Sequence, residues 1–470
     1  MNINLKYLLF CIVLVSCSNK QYNSLSKEQK IYEFSTIWKE VSYNFSNIDS
    51  FPIAKVDSLY LSYLSKVLNS KNDFEFSKLM QRFMAEFNNG HTNLEDIPNH
   101  LYPYLGWYKL RTVCRDGKVF IENFGRKYSN KLSIDDEIVE IDGIPIYDYL
   151  KNNIFPYIAT THPEQKLELA MINTSSYYLT WRDSKMKLTL KRKGKTIHVT
   201  IKVNDFLLPS EKEKKEEINN EWIIPTTMPK NIFLSDSLNN YAYIKLNACD
   251  KQNLDFFKIH QNQIKNFKNV VIDLSDDGGG NSSYVTPIID FFLDTDTVNL
   301  YPIKSRVNNS LYKSYGEKMD NTHRDSWDII QFNQYYYNFY TGNSYEFLRK
   351  NDFWVNSLSK NQRYSGNIYV IIGKNSASAA EFLITMLSSN KNIIFIGEKT
   401  AGAVGLPLRI FLKSGLVVKI NTIKAYDFEN NDVSNGFNPD YWYNLKKNHS
   451  ESDSRILFKE MIDFIKIHNE

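Results

Sequence analysis

Four cysteines in 470 residues are too few for a disulfide framework. Two of them, Cys11 and Cys17, stand in the first segment. Cys114 and Cys249 lie far apart in the chain and read as buried free thiols, neither in a setting that suggests a nucleophile. After the apolar run from Tyr7 to Val15, no stretch is long and apolar enough to cross a bilayer as a helix. A net charge of +4 is small for this length, and the basic residues form no stripe, which excludes nucleic acid as the expected partner. There is no Gly-x-Ser-x-Gly, so an α/β-hydrolase elbow is excluded. No lysine follows Gly278-Gly279-Gly280, which excludes a phosphate-binding P-loop, and Tyr284 stands where an EF-hand needs glutamate. Internal repeats are absent.

What is present is the composition of soluble globular protein, 42% hydrophobic and 23% charged, in a chain long enough for two or three domains. Tyrosine and phenylalanine supply the bulk to fill cores. At the amino terminus Lys6 precedes an apolar run too short to span a membrane but suited to a signal peptide. Leu14-Val15-Ser16-Cys17 resembles the bacterial lipobox, in which the cysteine is acylated and becomes the first mature residue. Residues 1–17 are therefore expected to be a lipoprotein signal peptide, with Cys17 as the lipidation site. Acyl chains anchor strongly, at about 0.8 kcal/mol per buried methylene. The expected location is the cell envelope, on the outer-membrane or periplasmic side.

From Lys27 to Phe87 apolar residues recur at helical spacing, as in Phe34, Ile37 and Val41, predicting two or three helices broken near Asp49–Pro52. Gly90 is expected to end the third and present His91 on a turn. The middle third changes period. Lys118–Glu122 and Glu137–Ile141 read as strands, and Met186–Lys191 with Ile197–Ile201 around Lys193-Gly194 read as a hairpin. The charged run near Glu211–Glu217 reads as a solvated linker. Beyond it, buried strands at Val270–Leu274, Tyr369–Ile372 and Ile393–Ile396 alternate with helical runs, which argues for an α/β core with parallel strands.

Two of these strand ends carry chemistry. Asp273 to Asn281 places three glycines where backbone N–H groups can approach an anion, although a merely structural turn has the same look. Gly373 to Phe382 runs from strand to helix and sets Ser376 and Ser378 at a helix amino terminus, where developing negative charge is favoured and where a simple N-cap is also common. His91 gains meaning only if a serine awaits a base.

Together these segments carry a resemblance. Asn89-Gly90-His91-Thr92, Asp273 to Gly280, Ser376-Ala377-Ser378-Ala379-Ala380-Glu381, Gly397 to Gly402 and Gly436-Phe437-Asn438-Pro439-Asp440 resemble, in order, the motifs of the serine peptidase family of C-terminal processing peptidases and the tricorn core. The resemblance runs from about Trp38 to Tyr441, and Leu132 to Gly143 is similar to a PDZ strand-turn with Asp135 or Asp136 at the usual glycine.

The resemblance implies a crotonase-like parallel sheet as the α/β core, an N-terminal helical subdomain and a PDZ-like, β-rich middle domain. The corresponding bounds are 18–100 for the helical subdomain, 101–205 for the PDZ-like domain and 206–230 for a linker. The peptidase core would be 231–450 with an insertion at about 298–364, and a C-terminal helix would fill 451–470. It implies Ser378 as nucleophile, with an oxyanion hole from the backbone N–H of Ala379 and of Gly279 or Gly280. Ala403 occupies the place of the lysine base of the processing branch, so no Ser–Lys dyad forms there, and His91 becomes the general base as in the tricorn-like branch. A carboxylate orienting the imidazole is expected just before Gly436: Asp432 first, Glu429 second. Peptides or unfolded proteins are the implied substrates and the membrane a partner through the anchor. No metal or organic cofactor is implied. The alternative is a catalytically inactive ligand- or peptide-binding lipoprotein on the same scaffold.

Overall fold

The computed structural model describes residues 24–96, 110–172, 185–202, 231–306, 345–349, 353–445 and 451–468. The expected signal peptide with Cys17, the expected linker and most of the 298–364 segment lie outside them. Among the described residues no helix is long and apolar enough to cross a membrane.

Three helices come first: α1 (Lys27–Asn44), α2 (Ile53–Leu68) and α3 (Asp73–Ala85). Ser26 caps α1 by accepting from the Gln29 amide at 3.2 Å, while the Gln29 side chain accepts from the Ser26 amide at 2.8 Å. Asn72 caps α3 in the same sense. Phe34, Ile37, Val41, Phe76 and Phe83 face one another in a dry core. The turn after α3 departs from expectation. The left-handed residue is Asn88, at φ 47°, and not Gly90, because the helix ends at Ala85 and asparagine tolerates that conformation. A short strand β1 (Asn93–Asp96) follows.

The middle unit is an antiparallel sheet of β2 (Leu110–Arg115), β3 (Lys118–Phe124), β4 (Glu137–Ile141), β5 (Ile144–Pro145), β6 (Lys185–Arg192) and β7 (Lys195–Lys202). Its strand order is β2-β3-β4-β6-β7, with β5 paired to β4. Helices α4 (Ile146–Asn153) and α5 (Lys166–Ile172) supply residues to its core. Asp135 takes the left-handed position with φ 65°, and the Arg192 guanidinium grips its neighbour Asp136 through two hydrogen bonds of 2.7 and 2.6 Å.

The last unit contains β8 (Ile232–Asp236), β9 (Tyr241–Lys245), α6 (Lys251–Ile264), β10 (Asn269–Asp273), α7 (Thr286–Phe292), β11 (Thr297–Asn299), β12 (Ile303–Arg306), β13 (Tyr345–Arg349) and β14 (Phe353–Val355). It continues through β15 (Asn367–Ile372), α8 (Ala379–Leu387), β16 (Ile393–Gly397), β17 (Pro407–Phe411), β18 (Val417–Asn421), β19 (Ile423–Ala425), β20 (Tyr441–Trp442) and α9 (Glu451–His468). Six strands form the main sheet in the order β20-β16-β15-β10-β9-β8. All its pairings are parallel except the one between β8 and β9.

Residues of α6, α7 and α8 cover one face of this sheet, and α9 covers the other. Burial on both faces explains why β10 and β15 read as unbroken apolar runs rather than alternating ones. Val270, Val271 and Ile272 are fully buried, each contributing about 1.5–3 kcal/mol.

A small sheet, β1-β18-β17, joins the first helices to this core. Leu416, Val418 and Ile420 pack into the helical cluster. This sheet carries the Gly90-His91 turn to the rest of the site.

Candidate active site

The adjacent strands β10 and β15 both end at the same rim of the sheet, the side where ligands bind in open parallel sheets. After β15 the chain turns at Gly373 and enters α8 at Ala379. Ser376, fully buried in this turn, donates its hydroxyl to the Leu274 carbonyl at 2.7 Å and accepts from the Gly373 amide at 3.0 Å. It is a pin between two strand ends. Ser378 is only partly buried and holds φ 57°, ψ −116°. A serine in that region is strained, and such strain gathers at functional positions.

Glu381, one turn into α8 and fully buried, fixes this geometry. Its carboxylate accepts from the Ser378 amide at 3.2 Å, from Thr400 Oγ1 at 2.6 Å, from the Gly402 amide at 2.8 Å and from the Ala403 amide. Burial pushes the Glu381 carboxyl up to about 7, against the pull of those four hydrogen bonds. The loop 400–403 is thereby tied to the serine turn.

The glycine loop after β10 packs against the same turn. Gly279, at φ +89°, lies so close that a Cβ there would fall 2.5 Å from the Ala377 carbonyl oxygen and 2.7 Å from Ser378 Cβ. Its amide donates to Asp277 Oδ1 at 2.8 Å, an Asx-type contact across two residues. This corrects one expectation: Gly279 offers no free N–H for an oxyanion, because the left-handed turn folds that N–H back onto a carboxylate. Gly280 bridges Cys249 through its neighbours, Cys249 N donating to the Gly279 carbonyl and Asn281 N to the Cys249 carbonyl, each at 2.9 Å. The Gly280 amide is thus turned away from Cys249 and donates to no group among the described residues. The Ala379 amide, at the start of α8, is likewise uncommitted.

His91 comes from the opposite end of the chain. Asn89 is buried and its Oδ1 accepts from the His91 amide at 3.0 Å. Thr92, also buried, accepts at Oγ1 from the Asn421 amide at 3.0 Å. A Cβ on Gly90 would stand 3.4 Å from the Cβ of Ala403, so the histidine turn abuts the loop held by Glu381. Ser378, Glu381, Ala403 and Gly90 therefore follow one another across the rim, and His91 is the next residue after Gly90.

Residues 240–443 match the model of peptidase family S41. The chain carries a peptidase family S41 domain. The match supports a serine-type peptidase. No protein of curated function matches the sequence. Among solved structures, mature CPAF complexed with lactacystin is similar with a TM-score of 0.64 at 13% identity, covering 94% of this chain and 98% of that one. A second structure of mature CPAF gives 0.64 at 14% identity, covering 94% and 96%. The tricorn protease gives 0.41 at 12% identity, covering 93% of this chain and 37% of that one. The CPAF likeness shows that the S41 peptidase fold, with its mixed helices and sheets, extends beyond the matched segment. His91 lies outside that segment.

The two carboxylates favoured as orienters of His91 are engaged elsewhere in the S41 domain. Asp432 caps the turn that follows it, its Oδ1 accepting from Ser434 N at 3.0 Å and Ser434 Oγ at 2.6 Å, and it lies 3.4 Å from Lys424 Nζ. Glu429 is exposed and pairs with Lys391 at 3.3 Å. Nδ1 of His91 is buried without a hydrogen-bond partner among the described residues. Burial, reinforced by the nearby Lys419 ammonium, brings the imidazole down to about 4, so the ring is neutral at pH 7.

A stability consequence follows. Below pH 6.5 the unfolded histidine binds a proton that the folded one refuses, so stability present above 6.5 is lost as the pH falls toward about 4. The full loss is about 3 kcal/mol. Urea midpoints of wild type and His91→Gln at pH 7.5 and 4.5 should show the wild type losing about that much more.

Motif reading passed over three features around the site. Ser378-x-x-Glu381 is a capping-box pattern, so the hub at Glu381 had a local signal. The buried Asp277, pushed by burial up to about 7, accepts from the Cys249 thiol at 3.5 Å; this pair lies under the glycine loop and had none. His162 of the middle unit packs on the loop itself: a Cβ on Gly402 would fall 2.9 Å from its Nε2. Gly279→Ala tests the close approach of the glycine loop. It should lower stability by about 2–4 kcal/mol through left-handed strain and the clash with Ala377, read by chemical denaturation.

Proposed function

We propose that the protein is an envelope lipoprotein that hydrolyses peptide bonds by acyl transfer, with Ser378 as nucleophile and His91 as general base. The observation that carries this reading is the setting of Ser378: partly open, strained, at the start of α8, with the Gly280 and Ala379 amides unspent beside it. Neutral His91 takes the Ser378 proton as Oγ attacks the substrate carbonyl. The oxyanion forms at the helix amino terminus, where a well-placed N–H donor is worth about 10²–10³ in rate. His91 then protonates the leaving amine, and water repeats the sequence to release the acyl group. Burial keeps the ring unprotonated and so able to accept the Ser378 proton at neutral pH, at the cost of a lower basicity.

The six-stranded, mostly parallel sheet with helices on both faces supports a crotonase-like core. The antiparallel sheet over 110–202 with its two helices supports a PDZ-like domain that presents peptide or unfolded protein to the rim. Membrane attachment through acylated Cys17 rests on the lipobox resemblance alone. A second reading, an inactive binding lipoprotein, is favoured by one observation: the bare Nδ1 of His91. Casein hydrolysis by the full chain in detergent separates the two. Cleavage supports the peptidase; no cleavage together with no labelling by a fluorophosphonate supports the binding protein.

A further inference from the structure

A histidine acting as base on a serine works through one ring nitrogen and needs the other held, so that tautomer and ring plane are fixed. In this chain neither expected carboxylate does so, and His91 Nδ1 is enclosed with no partner. A second buried atom without a partner is Asn421 Oδ1. One is a potential N–H donor and the other an acceptor.

Their placement follows from strand register. In the antiparallel β1–β18 pair, Asn93 stands opposite Lys419 and Leu94 opposite Val418. Continued two residues before the first residue of β1, into the turn that holds His91, that register would bring His91 toward Asn421. The hydrogen bond from the Asn421 amide to Thr92 Oγ1, 3.0 Å, shows that the two chains remain in contact there. Paired residues at the start of β1 have Cβ atoms about 4.5–5.5 Å from their partners, and the side chains of the residues just before them are long enough to reach across a similar gap.

The orientation of the Asn421 amide is fixed by its own contacts. Nδ2 donates to the Val404 carbonyl at 3.3 Å and the Ile423 carbonyl at 3.1 Å, which leaves Oδ1 as the free end. Gly405 leaves room for it, since a Cβ there would fall 2.0 Å from Oδ1. The side chain is almost wholly buried, and an unspent acceptor so deep is costly unless a donor is meant for it.

We propose that Asn421 is the positioning residue of His91, accepting from Nδ1–H so that Nε2 faces Ser378. The inference rests on the Ser378–His91 reading. The two groups do not bond in this structure. The contact forms as substrate fills the rim, as catalytic hydrogen bonds that are long in free enzymes tighten in the complex. A neutral amide holds the tautomer without adding the charge that a carboxylate brings. The charged neighbours of His91 are then Lys419 on β18, paired with Glu95 of β1 at 3.1 Å, and Arg409 of β17, which also binds Glu95.

The test compares the full chain with Asn421→Ala and Asn421→Asp, each with its thermal midpoint recorded. Asn421→Ala should lower kcat by about 10²–10⁴-fold with KM within threefold. Asn421→Asp keeps an acceptor at Nδ1 and adds charge. It should retain kcat within tenfold and move the acid limb of kcat/KM upward by at least one pH unit, a shift that a merely structural residue does not produce. Imidazole ¹⁵N shifts of His91, read in a Ser378→Ala background, should show a protonated Nδ1 in the parent and a mixed tautomer with Asn421→Ala. The proposal is overturned if kcat survives Asn421→Ala within threefold, if Asn421→Asp leaves the acid limb in place, or if the tautomer does not change. Should the peptidase reading itself fail, wild type will neither cleave nor label, and the tautomer measurement still decides whether Asn421 holds His91.

Discussion

Ser378→Ala and His91→Ala each leave a folded protein whose peptide hydrolysis is lower by about 10⁴-fold or more. Ser378 is partly open at the rim, and removing one oxygen from it creates no cavity of consequence. Its alanine also has to hold φ near 57°, which costs about as much as the serine already spends. His91 is held by its backbone through Asn89, so loss of the ring leaves the turn in place. The two effects should not add, because nucleophile and base act as one unit. Single and double variants, assayed on casein with circular dichroism alongside, check this. Equal activity in Ser376→Ala and Ser378→Ala would show the wrong serine to have been chosen.

Glu381→Ala produces the second large effect, a loss of about 3–5 kcal/mol of stability and of all measurable activity. Its carboxylate is fully buried and receives four donors, from Ser378, Thr400, Gly402 and Ala403. Alanine leaves those donors unpaired in a dry site, where each unsatisfied group costs about 1–3 kcal/mol, partly relieved by relaxation. The loop 400–403 would then lose its tie to the serine turn, and with it the seat of the Gly90-His91 turn. Glu381→Gln should fall between, since one end of its amide presents a donor to donors. Urea unfolding and casein hydrolysis measured on the same preparations read both quantities. A Glu381→Ala protein of wild-type stability would remove the hub from the account.

These effects were unequally legible in the amino-acid sequence. The strands β10, β15 and β16 announced themselves because parallel strands covered on both faces are apolar at every position and end in turn residues. The two strand ends and the His91 turn could be picked out because each pairs a reactive residue type with glycine or small neighbours in a short stretch. Glu381 was visible as part of a capping pattern, but its reach to Thr400 and Gly402 was not.

The oxyanion donors were half legible. That glycines line the loop follows from composition, yet which N–H is free depends on Asp277 capturing that of Gly279. The orienting group was not legible at all. The family resemblance implied a carboxylate just before Gly436, hence Asp432 or Glu429, and local hydrogen bonding and an exposed ion pair claimed them instead. Asn421 sits in an ordinary strand, and its link to the histidine turn spans 329 positions. No local pattern carries such a contact; only the strand register does. The turn at Asn88 shows the same limit on a smaller scale, since either asparagine or glycine can supply a left-handed residue and the helix end decides which is needed.

The central claim is that Ser378 is a nucleophile activated by His91. Fluorophosphonate labelling of the full chain, followed by peptide mapping, tests it without knowledge of the substrate. The account predicts one modified residue, Ser378, with labelling lost in Ser378→Ala and slowed at least about 100-fold in His91→Ala. An unlabelled wild type, or a label on any other serine, would contradict it.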